Sequence, residues 1–288
     1  MDPTNLRIGS SNFQWGTRTY VMGIINLTDD SFSGDGISSD VPTAVELAKE
    51  FEACGADIID IGAQSTRPPG AIYGVGASTV PLEQEIQRTS SVIADLASTL
   101  HVPISIDTFR AEVAESAVSA GASLVNDVWS FKGDPAMAPT ISNLQIPIIL
   151  MHNQLGTQYT NFVPDLLTSL EGTLKDAEAL GIDINNVIID PGFGFGKTPA
   201  QNLEVIRNIQ LVRQRFNRPV LIGTSRKSTI GTVLGGLSTR DRLEGTAATV
   251  AISIANGVDI IRVHDVTAMK RVAQMTDALV RGWDGNPT

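Results

Sequence analysis

The 288 residues predict an α/β fold, a closed (β/α)8 barrel in a single domain, on three observations. Short, nearly continuous apolar runs rich in Ile and Val recur eight times, segments with helical spacing separate them, and no linker or low-complexity tract divides the chain. Strands that are apolar without alternation are buried on both faces, as in parallel sheets, and their alternation with helices makes βα units. Eight such units match the roughly 250 residues of a closed TIM barrel. An open doubly wound sheet is the alternative, but its G-x-G-x-x-G turn is missing, because the first strand runs into NLTDDSFSGDG.

Residues 1–18 read as an N-terminal extension, and the first strand is YVMGIIN (20–26). The segment VPTAVELAKEFEACGA follows, with Ala44, Leu47, Ala48 and Phe51 on one helical face. Strands DIIDIGA (57–63) and PISIDT (103–108) come next, then RAEVAESAVSAGA, whose Val113, Ala117 and Ala120 share a face. LVNDV (124–128), PIILMH (147–152), VIIDPG (187–192), PVLIGTS (219–225) and DIIRVH (259–264) complete the set of eight strands, matched by eight helical stretches. Gly55, Gly121, Gly181 and Gly257 fit the left-handed turn that ends a helix. The barrel is thus expected over 19–282, with a polar tail at 283–288 where Trp283 frays.

Composition excludes several functions. The 21 Lys+Arg and 31 Asp+Glu give a net charge of −10, which opposes binding to a nucleic-acid backbone. No run is long enough to span a membrane and no secretory signal is visible. The single Cys54 and the lack of a Cys/His cluster imply a reducing compartment, the cytoplasm, with Cys54 in or near the core. GFGFGKT (192–198) imitates a P-loop, but Pro191 stands where that motif requires Gly.

The informative pattern lies at the strand ends. Asn26, Ser65-Thr66-Arg67, Asp107, Asn126-Asp127, His152, Asp190, Ser225-Arg226-Lys227 and Arg262-Val263-His264 all fall where a strand stops. One such Asp or Asn is usually a cap or turn former, but a whole set marks the C-terminal, active face of a barrel. Asp107, Asn126 and Asp190 suit the amino and N–H edge of a flat heterocycle. Arg67, Lys227, Arg262 and His264 supply positive charge, and the loops after strands 7 and 8 are the common phosphate site of such barrels. A heterocycle carrying phosphate is the ligand these residues describe.

The strings MGIINLTDDSFSGDG, DIIDIGAQSTRPPG, PISIDTFRAEVAESAVSAGASLVNDV, PIILMH, IIDPGFGFGKT, GTSRKSTIG and RLEGTAATVAISIANGVDIIRVHDV, arriving in this order over roughly 18–280, resemble the motifs of the dihydropteroate synthases. The resemblance implies condensation of 6-hydroxymethyl-7,8-dihydropterin diphosphate with 4-aminobenzoate in folate biosynthesis. It implies a pterin pocket of Asp107, Asn126, Asp190 and Lys227, and a diphosphate site of Asn26, Arg262 and His264, with Mg²⁺ at Asn26. Thr66, Arg67, Phe195 and Ser228 match the aminobenzoate region, and catalysis falls to Asp107, Lys227, Arg262 and Asn26. It further implies SN1-like departure of diphosphate, with anionic Asp107 stabilising the pterin methylene cation, and a homodimer built through the outer helices.

The chain departs from the family strings at Asp29, in place of Pro, and at Gln64, in place of an acid. The Gly- and Ser-rich loops NLTDDSFSGDGISSD and STRPPGAIYGVGAST are expected to form a mobile lid. His152 stays open between a pocket group and structural support below the pocket, while His101, Trp15 and Trp129 read as structural. Two other functions stand beside the synthase: a methyltetrahydrofolate–corrinoid methyltransferase, and a non-catalytic pterin-binding paralogue.

Overall fold

The computed structural model describes residues 5–27, 41–64, 80–283 and 285. Eight parallel strands form one sheet: β3 (Tyr20–Asn26), β4 (Ile58–Gly62), β5 (Ile104–Asp107), β6 (Leu124–Asp127), β7 (Ile148–Met151), β8 (Val187–Asp190), β9 (Leu221–Ile222) and β10 (Ile260–Val263). Their order is β8-β7-β6-β5-β4-β3-β10-β9, and the ring is drawn shut by an Ile189–Val220 bridge between its two edges. Pro219 precedes this seam and brings no backbone N–H to the ladder, which is one reason β9 is short.

Alternation along each strand divides the core. Val21, Ile59, Ile106, Val125, Ile148, Ile189, Ile222 and Ile261 face outward and pack with the surrounding helices. Met22, Ile58, Leu124, Ile149, Ile188, Leu221 and Ile260 face inward and fill the lower barrel. Two residues further along, the inward positions turn polar. Ile58 is followed by Asp60, Leu124 by Asn126, Ile188 by Asp190 and Ile260 by Arg262. This apolar-to-polar step is the floor of the functional site.

The helices among the described residues are α1 (Val41–Ala53), α2 (Leu82–Ala97), α3 (Ala111–Ala120), α4 (Met137–Leu144), α5 (Phe162–Ala179), α6 (Pro199–Arg207), α7 (Ile209–Phe216), α8 (Ser228–Val233), α9 (Leu243–Ala255) and α10 (Val266–Arg281). Ala44, Ala48 and Phe51 of α1 and Val113 and Ala117 of α3 are buried as expected, while Leu47 and Ala120 are half-buried. Gly55, Gly121, Gly181 and Gly257 have φ of +91°, +122°, +81° and +90°. Among the described residues there are ten helices rather than eight, because the chain between β8 and β9 breaks at Asn208 and a short α8 precedes α9.

The N-terminal extension is itself structured. Strands β1 (Asn5–Ile8) and β2 (Ser11–Gln14) form an antiparallel hairpin that turns at Gly9, φ +59°. Leu6, Ile8, Phe13 and Trp15 point from it into the bottom of the barrel, where Phe13 and Tyr20 rings lie 4.7 Å apart. The alternation Leu6-Arg7-Ile8 and Phe13-Gln14-Trp15 is the sequence signal of a one-sided strand. Trp15 is structural, as expected, Cys54 is half-buried against the outer core, and Trp283 is 70% exposed.

Truncating Phe13 to Ala is expected to lower unfolding stability by about 3–5 kcal/mol in a denaturant titration, with Michaelis constants unchanged because the plug lies at the end of the barrel away from the polar strand ends. A stability change below about 1 kcal/mol would contradict a plug made by this hairpin.

Candidate active site

The polar strand ends meet inside the upper barrel around one guanidinium. Arg262, from β10, donates from Nε to Asp60 Oδ2 at 2.6 Å and from Nη2 to Asp107 Oδ2 at 2.7 Å. Asp60 is fully buried and also lies 3.4 Å from Asn126 Nδ2. Two carboxylates thus share one cation, and the trio carries a net negative charge when all three are ionised. Burial pushes Asp107 up to about 7, against the pull of Arg262 and with the help of the Asp60 charge. Asp60 Oδ1 and Asp107 Oδ1 are buried and have no hydrogen-bond partner among the described residues. Unpaired buried acceptors are costly and are kept where a ligand supplies the donor.

Asn126 and Asp127 have separate tasks. Asn126 faces the interior, whereas Asp127 accepts from the backbone N–H groups of Trp129 at 2.8 Å and Phe131 at 2.6 Å. That turn holds Ser130 and Phe131 at φ +50° and +68°, and burial lifts Asp127 to about 6. The adjacent basic residues divide in the same way. Arg226, φ +57°, pairs with Asp265 at 2.5 Å and ties the β9 loop to the start of α10. Lys227 turns to the site, where its Nζ donates to the Phe193 carbonyl and sits 4.5 Å from the Phe195 ring centroid. Ser228 opens α8 beside it, half-buried.

Asp190 accepts from Gly192 N at 2.7 Å, and burial raises its pKa. A Cβ at Gly192 would come within 1.9 Å of the His152 carbonyl oxygen, so Gly is required there. Asn26 is half-buried at the end of β3. His264 Nδ1 lies 3.0 Å from Ser225 Oγ, and burial together with Arg262 lowers its pKa to about 3. His264 is therefore neutral and offers a hydrogen bond in place of the expected charge. Arg262 likewise directs its charge to Asp60 and Asp107.

His152 answers the question left open. It is 3% exposed and pushed down to about 2 by burial and by Lys197, whose Nζ is 2.9 Å from its Nδ1. Its place is behind the GFGFGK segment. His101 sits at the opposite end of the barrel with its side chain in solvent, and Trp129 is half-buried after β6. Thr66, Arg67 and Asp29, and with them most of both expected lid loops, lie outside the described residues. Gln64 is buried, and its Oε1 has no partner among the described residues.

Two residues were missed on sequence. Asp60 is a carboxylate inside a run of four Ile and Gly neighbours, DIIDIG, a mismatch that signals function in a doubly buried strand. Lys197 was seen only as part of a failed P-loop.

Comparison with known proteins identifies the family. Residues 22–264 match the family model of pterin binding enzymes. A dihydropteroate synthase from Clostridium beijerinckii is 45% identical over 277 residues, covering 96% of this chain and all of its own. A crystal structure of the Clostridium difficile dihydropteroate synthase in the presence of pteroic acid superposes with a TM-score of 0.85 at 42% identity, over 93% of this chain and 99% of that one. The Yersinia pestis enzyme with a sulfonamide drug superposes with a TM-score of 0.89 at 32% identity, over 96% and 98%. The chain belongs to the pterin-binding enzyme family and shares the fold of these solved structures. Within that family it falls among the dihydropteroate synthases, transferases of folate biosynthesis.

The raised Asp107 pKa carries a stability consequence. Its folded value lies above its unfolded one, so the stability it allows is full below about pH 4 and is lost as pH rises through about 7. Asp107→Asn is expected to abolish turnover yet stabilise the protein at pH 8 by roughly 2 kcal/mol. The advantage should shrink toward zero at pH 4 in thermal melts, and a gap independent of pH would refute this origin.

Proposed function

We propose that the site performs the condensation of 6-hydroxymethyl-7,8-dihydropterin diphosphate with 4-aminobenzoate through dissociation of diphosphate before attack. The buried, unpartnered carboxylate oxygens of Asp60 and Asp107 beside Arg262 carry this reading. Asp107, Asn126 and Asp190 bind the pterin edge, and Lys227 exchanges the Phe193 carbonyl for an acceptor on the ring. An electron-poor methylene above Asp107 gains from a fixed negative charge in a dry site, an effect worth a few kcal/mol. Attack by the arylamine then forms the carbon–nitrogen bond and releases a proton. No protein nucleophile is required.

Asn26, His264 and Arg262 surround the departing diphosphate. Asn26, half-buried at the end of β3, carries an amide oxygen, a ligand type that fits Mg²⁺, an ion that takes most of its ligands from phosphates and water. Among the described residues no group of three His, Cys, Asp or Glu is arranged to hold a metal, so the substrate would complete the coordination. Bound there, Mg²⁺ would offset charge on the leaving group. Phe195 and Ser228 line the aminobenzoate side, to which the resemblance also assigns Thr66 and Arg67, both outside the described residues.

The outer wall supports a homodimer. Met275 and Leu279 on α10 are 59% and 72% exposed, and Ile252 on neighbouring α9 is exposed as well. Leu279→Asp with Met275→Asp is expected to convert a dimer to a monomer in analytical ultracentrifugation; an unchanged sedimentation coefficient would exclude this face. Among the described residues no helix is long and apolar enough to cross a membrane, and the free Cys54 fits a reducing cytoplasm.

The purified protein is expected to release diphosphate and form dihydropteroate from the two substrates with Mg²⁺, with sulfonamides competing against aminobenzoate; pterin binding without turnover would favour a non-catalytic protein. Arg262→Ala removes the cation at the centre of the trio. In the structure it leaves Asp60 and Asp107 buried together without their counter-charge, so kcat/KM should drop by about a hundredfold or more and stability by about 3 kcal/mol. Unchanged stability in the Arg262→Ala variant would show that the trio does not form.

A further inference from the structure

The segment Asp190–Thr198 has the spelling of a phosphate loop and the opposite polarity. Gly192, Gly194 and Gly196 take φ of +75°, +84° and +55°. Their N–H groups do not converge on an anion: Gly192 N donates to Asp190 and Gly194 N to Asn202 Oδ1 at 2.7 Å. The carbonyls gather instead. Lys197, 0% exposed, donates from Nζ to the carbonyls of Gly192 at 2.9 Å and Phe195 at 3.0 Å. Its third neighbour is His152 Nδ1 at 2.9 Å. Neutral His152 accepts there when its proton is on Nε2. Tyr159 adds a hydrogen bond to the Gly196 carbonyl at 2.9 Å.

Burial lowers Lys197 to about 7 against the pull of Asp190; a buried amine is expensive unless its hydrogen bonds are made, and here its donors are spent on a ring of carbonyls. Two lysines hold one loop from opposite sides. Lys227, on the site side, holds the Phe193 carbonyl, and Lys197 holds its neighbours from beneath. When Lys227 leaves Phe193 for a ligand, Lys197 is the ammonium that stays. Asp190 belongs to strand β8 and keeps its position through the sheet, whereas Phe195 stands on the loop itself.

We propose that Lys197 is a positioning residue that, through His152 and the loop carbonyls, fixes Phe195 as the wall of the aminobenzoate subsite and so governs the second substrate without touching it. The assignment of that subsite rests on the function proposed above; the tether does not.

In the full-length protein, Lys197→Met is expected to raise KM for 4-aminobenzoate about tenfold, with kcat and KM for the pterin diphosphate within about twofold. Amide exchange at residues 192–196, measured without substrates, should quicken about tenfold or more, with the barrel strands unchanged. His152→Leu should reproduce both effects, and His152→Asn, which keeps an acceptor near the Nδ1 position, should return KM and exchange to the wild-type values; this pair also serves if Lys197→Met does not fold. Equal increases in both KM values, unchanged exchange at 192–196, or identical behaviour of His152→Asn and His152→Leu would overturn the proposal. A wild-type protein without turnover removes the functional reading alone, because the exchange comparison still decides the tether.

Discussion

The upper barrel depends on the Arg262 guanidinium held between Asp60 and Asp107. It spans from β10 to β4 and β5, so it fixes three strands at the height where the interior changes from apolar to polar. Without it, two carboxylates would share a dry cavity, one of them already pushed to about 7. With it, each keeps one oxygen paired and one oxygen available. The same contact therefore solves an electrostatic problem and defines the acceptors of the site.

Much of this was legible in the sequence. Near-continuous Ile/Val strands separated by amphipathic segments led to the barrel, and polar residues at strand ends led to Asn26, Asp107, Asn126, Asp190, Lys227 and Arg262. Two features resisted. The plugging hairpin is two four-residue strands that alternate apolar with polar residues, so they lack the continuous apolar runs that mark the barrel strands. Asp60 hides within a strand rather than at its end, and only a three-dimensional pairing with Arg262, 202 positions away, explains it.

Charge was the least legible property. Sequence counts Arg262 and His264 as cations, yet Arg262 is committed to two carboxylates and burial leaves His264 neutral. Neighbouring residues also part company, as Asn126 does from Asp127 and Lys227 from Arg226. Asn126 and Asp127 are adjacent strand positions and face opposite sides of the sheet, whereas Arg226 is turned away from Lys227 by its left-handed backbone, φ +57°; a motif read as a unit thus splits into one residue for the ligand and one for the scaffold.

The hairpin beneath the barrel has a kinetic meaning as well as a structural one. Leu6, Ile8, Phe13 and Trp15 close the lower end, making the interior a blind-ended cup with a single mouth. Whatever binds against Asp60 and Asp107 must arrive before anything that covers the mouth, and the last group to enter must be free to leave first or together with it. An ordered sequence of arrival and departure follows from a fold with one door.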